Sequence, residues 1–319
     1  MSLYSCAYIH LLEKGMRIMT LKAVIFDLGG TLIEYPNPSD TLKRLHEAAP
    51  IVGLDEKILK SVAEKYFEAR NASFDNLKEA TFAEALDQAL FEAKIDMSSE
   101  NRYETLKKIY HMFFGGPAQI IKGASELLWF LKRQNLKVGL ISNTPWCGDF
   151  HSEDLSKFGI LHGFSRLMWS SEENIRKPHK DLFNRMLESL GVSSDQAIYV
   201  GDNFSRDVVG PNSIGMKAIW VSTKSIPEGQ TFNGWQVPDL AGVKKVIESI
   251  MKDDKKLSPL ATRVHVAAAN TDIRKAREML HKAQDKLLNI QLNLCRHLNR
   301  SGNREVDGFE TCTDCEMIV

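Results

Sequence analysis

Two hydrophobic rhythms alternate along the chain. Short apolar runs rich in β-branched residues occur at 23–26, 137–141, 197–200 and 218–221, the pattern of strands buried on both faces of a parallel sheet. A further strand is read around 164–169. Between these runs, apolar residues recur at helical spacing over 124–133, 153–158, 180–190 and 243–251. Strands separated by helices imply βαβ units and a doubly wound α/β sheet. From 36 to 116 the strand signal vanishes. Four runs there, 41–49, 55–70, 81–93 and 99–114, carry apolar residues three and four apart, as Ile58, Val62, Ala63 and Tyr66 do. Thr81 and Glu84 form a capping-box pattern ahead of the third run.

The expected organisation is therefore a parallel-sheet core, 19–36 and 117–251, interrupted by an all-helical domain of four helices, 37–116. The chain crosses between them at 34–37 and 115–122, both rich in Gly or Pro. Residues 252–260, with Lys and Asp clustered before Pro259, read as a linker. Over 261–300, Ile273, Leu280, Leu287 and Leu294 recur every seventh residue with Ala276, Ala283 and Ile290 between them. This is the seam of a C-terminal helical extension, which either packs on its own domain or joins a homodimer or partner protein.

Composition narrows the picture. Of 319 residues, 43% are hydrophobic and 26% charged, ordinary for a soluble protein of roughly two domains. The formal net charge is +0, which gives no pull towards nucleic acid or an anionic membrane. No apolar run approaches the roughly 18 residues that span a bilayer. Five scattered cysteines do not make a disulfide framework, so a reducing, cytoplasmic location is expected. Cys295, His297, Cys312 and Cys315 offer ligand types for tetrahedral zinc. Residues two apart on a helix do not share a face, however, and reduced thiols near a flexible tail, 301–319, are the expectation.

The candidate chemistry lies at strand ends, where open α/β sheets bind ligands. The first strand stops at Asp27, followed by Gly29, Gly30 and Thr31. The 137–141 strand ends in Ser142-Asn143-Thr144. Lys177, between Arg176 and Pro178, precedes a helix, and the 197–200 strand ends in Gly201-Asp202-Asn203 with Asp207 five residues after Asp202. Carboxylate, hydroxyl, lysine and acidic pair in that order resemble the four motifs of the haloacid dehalogenase-like hydrolase superfamily, over about residues 21–250. The resemblance implies a Rossmann-like core with a helical cap inserted between the first and second motifs. It also implies a Mg²⁺-dependent phosphatase of small phosphorylated metabolites. In that scheme Asp27 becomes an aspartyl-phosphate. Mg²⁺ is held by Asp27, the Gly29 backbone carbonyl and Asp202, while Asp207 holds a metal-bound water or orients Lys177. Ser142 and the N–H groups of Leu28 and Asn143 hold the phosphoryl oxygens, and Lys177 balances charge on nucleophile and phosphate. Sequences of this kind begin just before the first strand, so residues 1–18 are expected to be an arm or to precede the true start at Met16 or Met19. Trp146, Cys147 and His179 lie beside these motifs and are expected only to pack.

One position departs from the pattern. Phosphatases of the superfamily carry a second Asp two residues after the nucleophile, as general acid and base, and this chain has Gly29. A positioned proton donor is worth about 10²–10⁴-fold. Glu34, His46 and His111 are the cap-side candidates to replace it. A phosphonatase would not need it. A dehalogenase would not need Mg²⁺ either, and the Asp202 and Asp207 pair argues against that branch. A reading of another class is a binding or assembly module that uses the C-terminal helix.

Overall fold

Residues Ala23–Phe26 (β1) are fully buried at the centre of a six-stranded sheet. An apolar strand of this kind needs helices on both faces, and it has them. The computed structural model describes residues 20–37, 44–73 and 75–253, and, nearer the C-terminus, 274–280, 282–283, 286, 303–306 and 309–312. Arg17–Asp254 forms one compact unit.

After β1 come Ile33–Glu34 (β2), a 3-10 turn Leu45–Ala48 that runs into Ala49–Val52 (α1), then Glu56–Ala72 (α2), Phe82–Glu92 (α3) and Ser99–Tyr110 (α4). The chain returns through Gln119–Ile120 (β3) and continues with Ala124–Arg133 (α5), Lys137–Ser142 (β4), Gly148–Lys157 (α6), Arg166–Trp169 (β5), Ser170–Glu173 (α7), Lys180–Leu190 (α8), Ala197–Gly201 (β6), Lys217–Val221 (β7) and Gly234–Val237 (β8). Residues 240–253 form a last helix of this unit, α9. All six strands of the main sheet are parallel, in the order β5-β4-β1-β6-β7-β8. One face is covered by α5 and α9, through Leu127, Leu131, Val243 and Ile247; the other by α8, through Leu182, Phe183 and Met186. The strand order reverses at β1. Phe26 pairs with both Leu140 and Val200, which brings Asp27, Ser142 and Asp202 to nearly one level at the switch point.

Several elements differ from the sequence reading. The first cap helix begins later than 41–49: residues 41–43 are not described, and Pro50 sits in the first turn of α1, where its missing N–H costs nothing. Helix α6 starts five residues ahead of the expected 153. Gly148 is an opening residue there because the Trp169 ring lies 2.0 Å from where a Cβ would be, so the glycine marks a close approach and not a break. Strand β8 has no apolar run to announce it. The short antiparallel pair β2–β3, Ile33 with Ile120 and Glu34 with Gln119, ties the two crossings together. In the C-terminal region, 274–280 are helical. Asn303–Val306 pairs antiparallel with Phe309–Cys312 where a flexible tail was expected; the intervening Asp307-Gly308 is a hairpin signal. The 1–18 arm, most of the linker and heptad seam, and Cys295, His297 and Cys315 lie outside the described residues.

Two contacts seat the helical domain on the sheet. At the start of α3 the Thr81 side chain accepts from the Glu84 N–H while Glu84 accepts from the Thr81 N–H, completing the capping box. The next residue, Phe82, donates its N–H to the Pro145 carbonyl at 3.0 Å, and its ring stacks between Tyr66 and Trp146 at 4.3 and 4.2 Å. The second contact is a buried polar network. Thr144 Oγ1 accepts from the Trp146 N–H at 3.1 Å and lies 2.6 Å from His151 Nε2. His151 Nδ1–H then faces the phenol oxygens of Tyr110 at 2.8 Å and Tyr35 at 3.3 Å, both of which donate to Asp154 Oδ2. Both phenols spend their protons on Asp154, so Nδ1 carries the hydrogen, and burial keeps the ring neutral with Nε2 accepting from Thr144. Burial pushes the His151 pKa down to about 3 and raises that of Asp154.

Two measurements follow. Phe82→Ala should destabilise the protein by about 3–5 kcal/mol in urea unfolding, the cost of emptying a stacked aromatic site, and Thr81→Ala by about 1 kcal/mol. For His151 the folded pKa lies below the unfolded value, so its contribution is complete above pH 6.5 and is lost as pH falls towards 3, by about 1.4 kcal/mol per unit. The raised carboxylates Asp154, Glu79 and Asp207 act in the opposite sense. Comparison with His151→Gln isolates the imidazole: between pH 6.5 and 5 the wild type should lose about 2 kcal/mol more than the variant. Parallel losses would refute the neutral-imidazole assignment.

Candidate active site

Lys177 is the hub of the strand ends. Its side chain is 1% exposed, and Nζ donates to Asp27 Oδ1 at 2.7 Å, Asp207 Oδ1 at 2.8 Å and the Tyr199 phenol at 2.8 Å. Three donors meet three acceptors, which is the complete capacity of an ammonium. Tyr199 passes its own proton to the Ile141 carbonyl at 3.1 Å, leaving its lone pairs to the lysine. The loop that carries Lys177 is clamped to the end of β4 by Asn143, whose Oδ1 accepts from the Lys177 N–H at 2.7 Å and whose Nδ2 donates to the Lys177 carbonyl at 2.9 Å.

The acidic residues surround this lysine unequally. Asp27 is 7% exposed and Asp207 fully buried. Both oxygens of Asp207 are engaged, Oδ1 by Lys177 and Oδ2 by the Asn203 N–H at 2.9 Å. Burial pushes its pKa up to about 6, against the pull of Lys177. Asp202 is raised as well, by burial and by the Asp27 charge, and its buried Oδ1 has no hydrogen-bond partner. Carboxylate oxygens of Asp27, Asp202 and Asp207 lie within 4.8 Å of one another. Three carboxylates against one ammonium leave an excess of two negative charges, with one oxygen orphaned. That donor set fits a hard divalent cation. Gly30 belongs to the same construction: its φ is +78°, and a Cβ would stand 2.8 Å from Asp202 Oδ2.

Above these residues lies a cavity of about 310 Å³ bounded by both domains. Asp27, Gly29, Ser142, Asn143 and Lys177 line its floor; Tyr35, Tyr66, Phe82, Phe114 and Trp146 supply aromatic walls. Leu28 is fully buried, and its carbonyl accepts from the N–H groups of Thr31, Leu32 and Ile33, which curls the loop after β1. Of the cap-side candidates for the missing acid, Glu34 lines this cavity. His46 and His111 do not: His46 sits in the 3-10 turn, and His111, half exposed, faces Glu153 at 3.7 Å. The position of Gly29 is open. A Cβ there would meet only Tyr35 Cδ2, at an ordinary 3.6 Å. Trp146 packs as expected, and His179 caps α8 through the Asp181 N–H.

Sequence reasoning missed Tyr199, the side-chain role of Asn143, and three arginines that also line the cavity, Arg70, Arg176 and Arg206. Tyr199 reads as one more apolar strand residue, but its place two positions before Gly201 was the available signal. His151 and Asp154 share a helix face three residues apart, and the late start assigned to α6 hid the pair.

The profile of the haloacid dehalogenase-like hydrolase family matches residues 24–221. Among curated proteins, a glyceraldehyde 3-phosphate phosphatase of Pyrococcus furiosus is 26% identical over 203 residues, covering 63% of this chain and 80% of the relative. A phosphoserine phosphatase of Thermus thermophilus is 36% identical over 106 residues, 33% of this chain and 41% of that protein. Among solved structures, a 2-haloacid dehalogenase of Pseudomonas syringae superposes with a TM-score of 0.54 at 22% identity, covering 72% of this chain and 99% of its own, which shows a shared fold. With the profile spanning all four strand-end motifs and the buried lysine gathering their carboxylates at the switch point, the chain belongs to the haloacid dehalogenase-like hydrolases.

Proposed function

We propose that the protein is a Mg²⁺-dependent phosphatase of small phosphorylated metabolites that works through an aspartyl-phosphate on Asp27. The observation that carries this reading is the buried ammonium of Lys177 bonded at once to Asp27, Asp207 and Tyr199, at the floor of a cavity under the helical domain. The phosphatase names of the relatives point the same way.

An anionic carboxylate attacks an anionic phosphate only where charge is neutralised. Lys177 holds Asp27 in place and lowers the repulsion. Asp27, Asp202 and the Gly29 carbonyl would hold Mg²⁺, which supplies the remaining positive charge when bound. Asp207 keeps Lys177 aligned through its 2.8 Å contact. Ser142, with the N–H groups of Leu28 and Asn143, receives the phosphoryl oxygens. An Asp27 oxygen bonds to phosphorus as the ester oxygen leaves with its electron pair. Water then attacks the same phosphorus, releasing phosphate and restoring the carboxylate. No acid stands at position 29 to protonate the leaving oxygen, so the first step is slow for alkyl esters and faster for esters with good leaving groups.

Aryl phosphate hydrolysis should require Mg²⁺, disappear on chelation, and fall by at least about 10³-fold in Asp27→Asn. Gly29→Asp should raise alkyl phosphate hydrolysis by about 10²-fold, since the site accommodates a Cβ. Full activity of Asp27→Asn would end the phosphatase reading. An unchanged rate in Gly29→Asp would show that another group, Glu34 foremost, already donates the proton.

A further inference from the structure

Besides Lys177, the cavity is lined by three guanidinium groups from three separate elements: Arg70 in the last turn of α2, Arg176 in the loop before Lys177, and Arg206 in the turn after β6. Two of them adjoin the charged floor in sequence, Arg176 beside Lys177 and Arg206 beside Asp207. A single buried carboxylate answers them. Glu79, with a side chain 3% exposed, accepts from Ser170 Oγ at 2.6 Å and lies 3.7 Å from Arg176 Nη1. It is also within electrostatic reach of Arg70 and Arg206. Among the described residues, neither Arg70 nor Arg206 has a carboxylate at ion-pair distance. Arg206 acts on Asp202 as well, so the cluster borders the phosphoryl end of the cavity. Glu34, the remaining acid of the lining, is solvent-exposed. Guanidinium does not lose its proton. With Arg206 offset in part by Asp202, Arg70 and Arg176 share the single charge of Glu79, so this side of the cavity keeps an excess of positive charge.

We propose that Arg70, Arg176 and Arg206 form a subsite for a carboxylate that the substrate carries a short distance from its phosphoryl group. The inference rests on the phosphatase reading and narrows it to short phosphorylated carboxylic acids. The planar fork of arginine matches a carboxylate in two-point contact. The sequence neighbours Arg176–Lys177 and Arg206–Asp207 keep the two anionic ends of a ligand close together. A cavity of about 310 Å³ is at the small end for ligand sites and favours a short linker. A neutral tail in the same place would leave the guanidiniums facing no anion, which is a strong basis for rejection.

The test compares 2-phosphoglycolate with glycolaldehyde phosphate, substrates of one size that differ in the charge of the tail, using the full chain with Mg²⁺. The carboxylated substrate should have a kcat/KM higher by at least about 30-fold. Arg70→Gln and Arg206→Gln should each reduce that value at least about tenfold more than they reduce the value for glycolaldehyde phosphate. Equal kcat/KM values for the two substrates, or equal losses in the variants, would overturn the subsite while p-nitrophenyl phosphate turnover left the phosphatase reading standing. If no ester is turned over, the phosphatase reading fails by itself, and calorimetric titration decides the subsite. There 2-phosphoglycolate should bind at least about tenfold more tightly than inorganic phosphate and lose that advantage in Arg70→Gln; equal affinities would overturn it.

Discussion

An ammonium group withdrawn from water and shared by two carboxylates and a phenol is the constraint on which the rest of the structure depends. Removing one partner of such a buried arrangement leaves a charge without compensation, typically at 3–5 kcal/mol. The fold is built to prevent that. Strand β1 must be apolar throughout so that its last residue, Asp27, is delivered at the switch point. Strand β6 must carry Tyr199 inward as well as Asp202 at its end. The loop between α7 and α8 must be held against β4, which Asn143 does with both ends of its amide. The same enclosure leaves Asp202 with a bare oxygen beside the charge of Asp27.

The helical domain completes the site by enclosing it. Its grip on the sheet is aromatic around Phe82 and polar around His151, and the two meet in the segment 144–146, which begins two residues after Ser142. Closure of the cavity and positioning of the β4 strand end are therefore coupled through a few contiguous residues. Gly115 shows how tight the junction is: a Cβ there would stand 2.7 Å from the Tyr110 ring and 2.8 Å from Asp154.

Much of this was legible from residue order. The buried strands, the alternation with helices, the position of the helical insertion and the capping box at Thr81 are local patterns, and each follows from periodicity. The gathering of Asp27, Lys177, Asp202 and Asp207 came from motif order and is a matter of topology, since parallel strands bring residues 150 apart in sequence into one hydrogen bond. What stayed hidden depends on partners that no local pattern names. Tyr199 is apolar in its ring and polar only at its tip. His151 matters because Tyr35, Tyr110 and Asp154 converge on it, and Gly148 reads as a breaker until Trp169 is seen against it. The three arginines gave no local signal, because Glu79, the neighbour they share, lies in a loop of the helical domain, far in sequence from Arg176 and Arg206.

The central claim is that the carboxylate of Asp27 is the atom group that accepts the phosphoryl unit. Crystals grown with Mg²⁺ and beryllium fluoride, an analogue of that unit, test it most directly. The account predicts tetrahedral density continuous with an Asp27 oxygen and within reach of Lys177 and Ser142. Density bound elsewhere in the cavity, with Asp27 still paired only to the lysine, would contradict it.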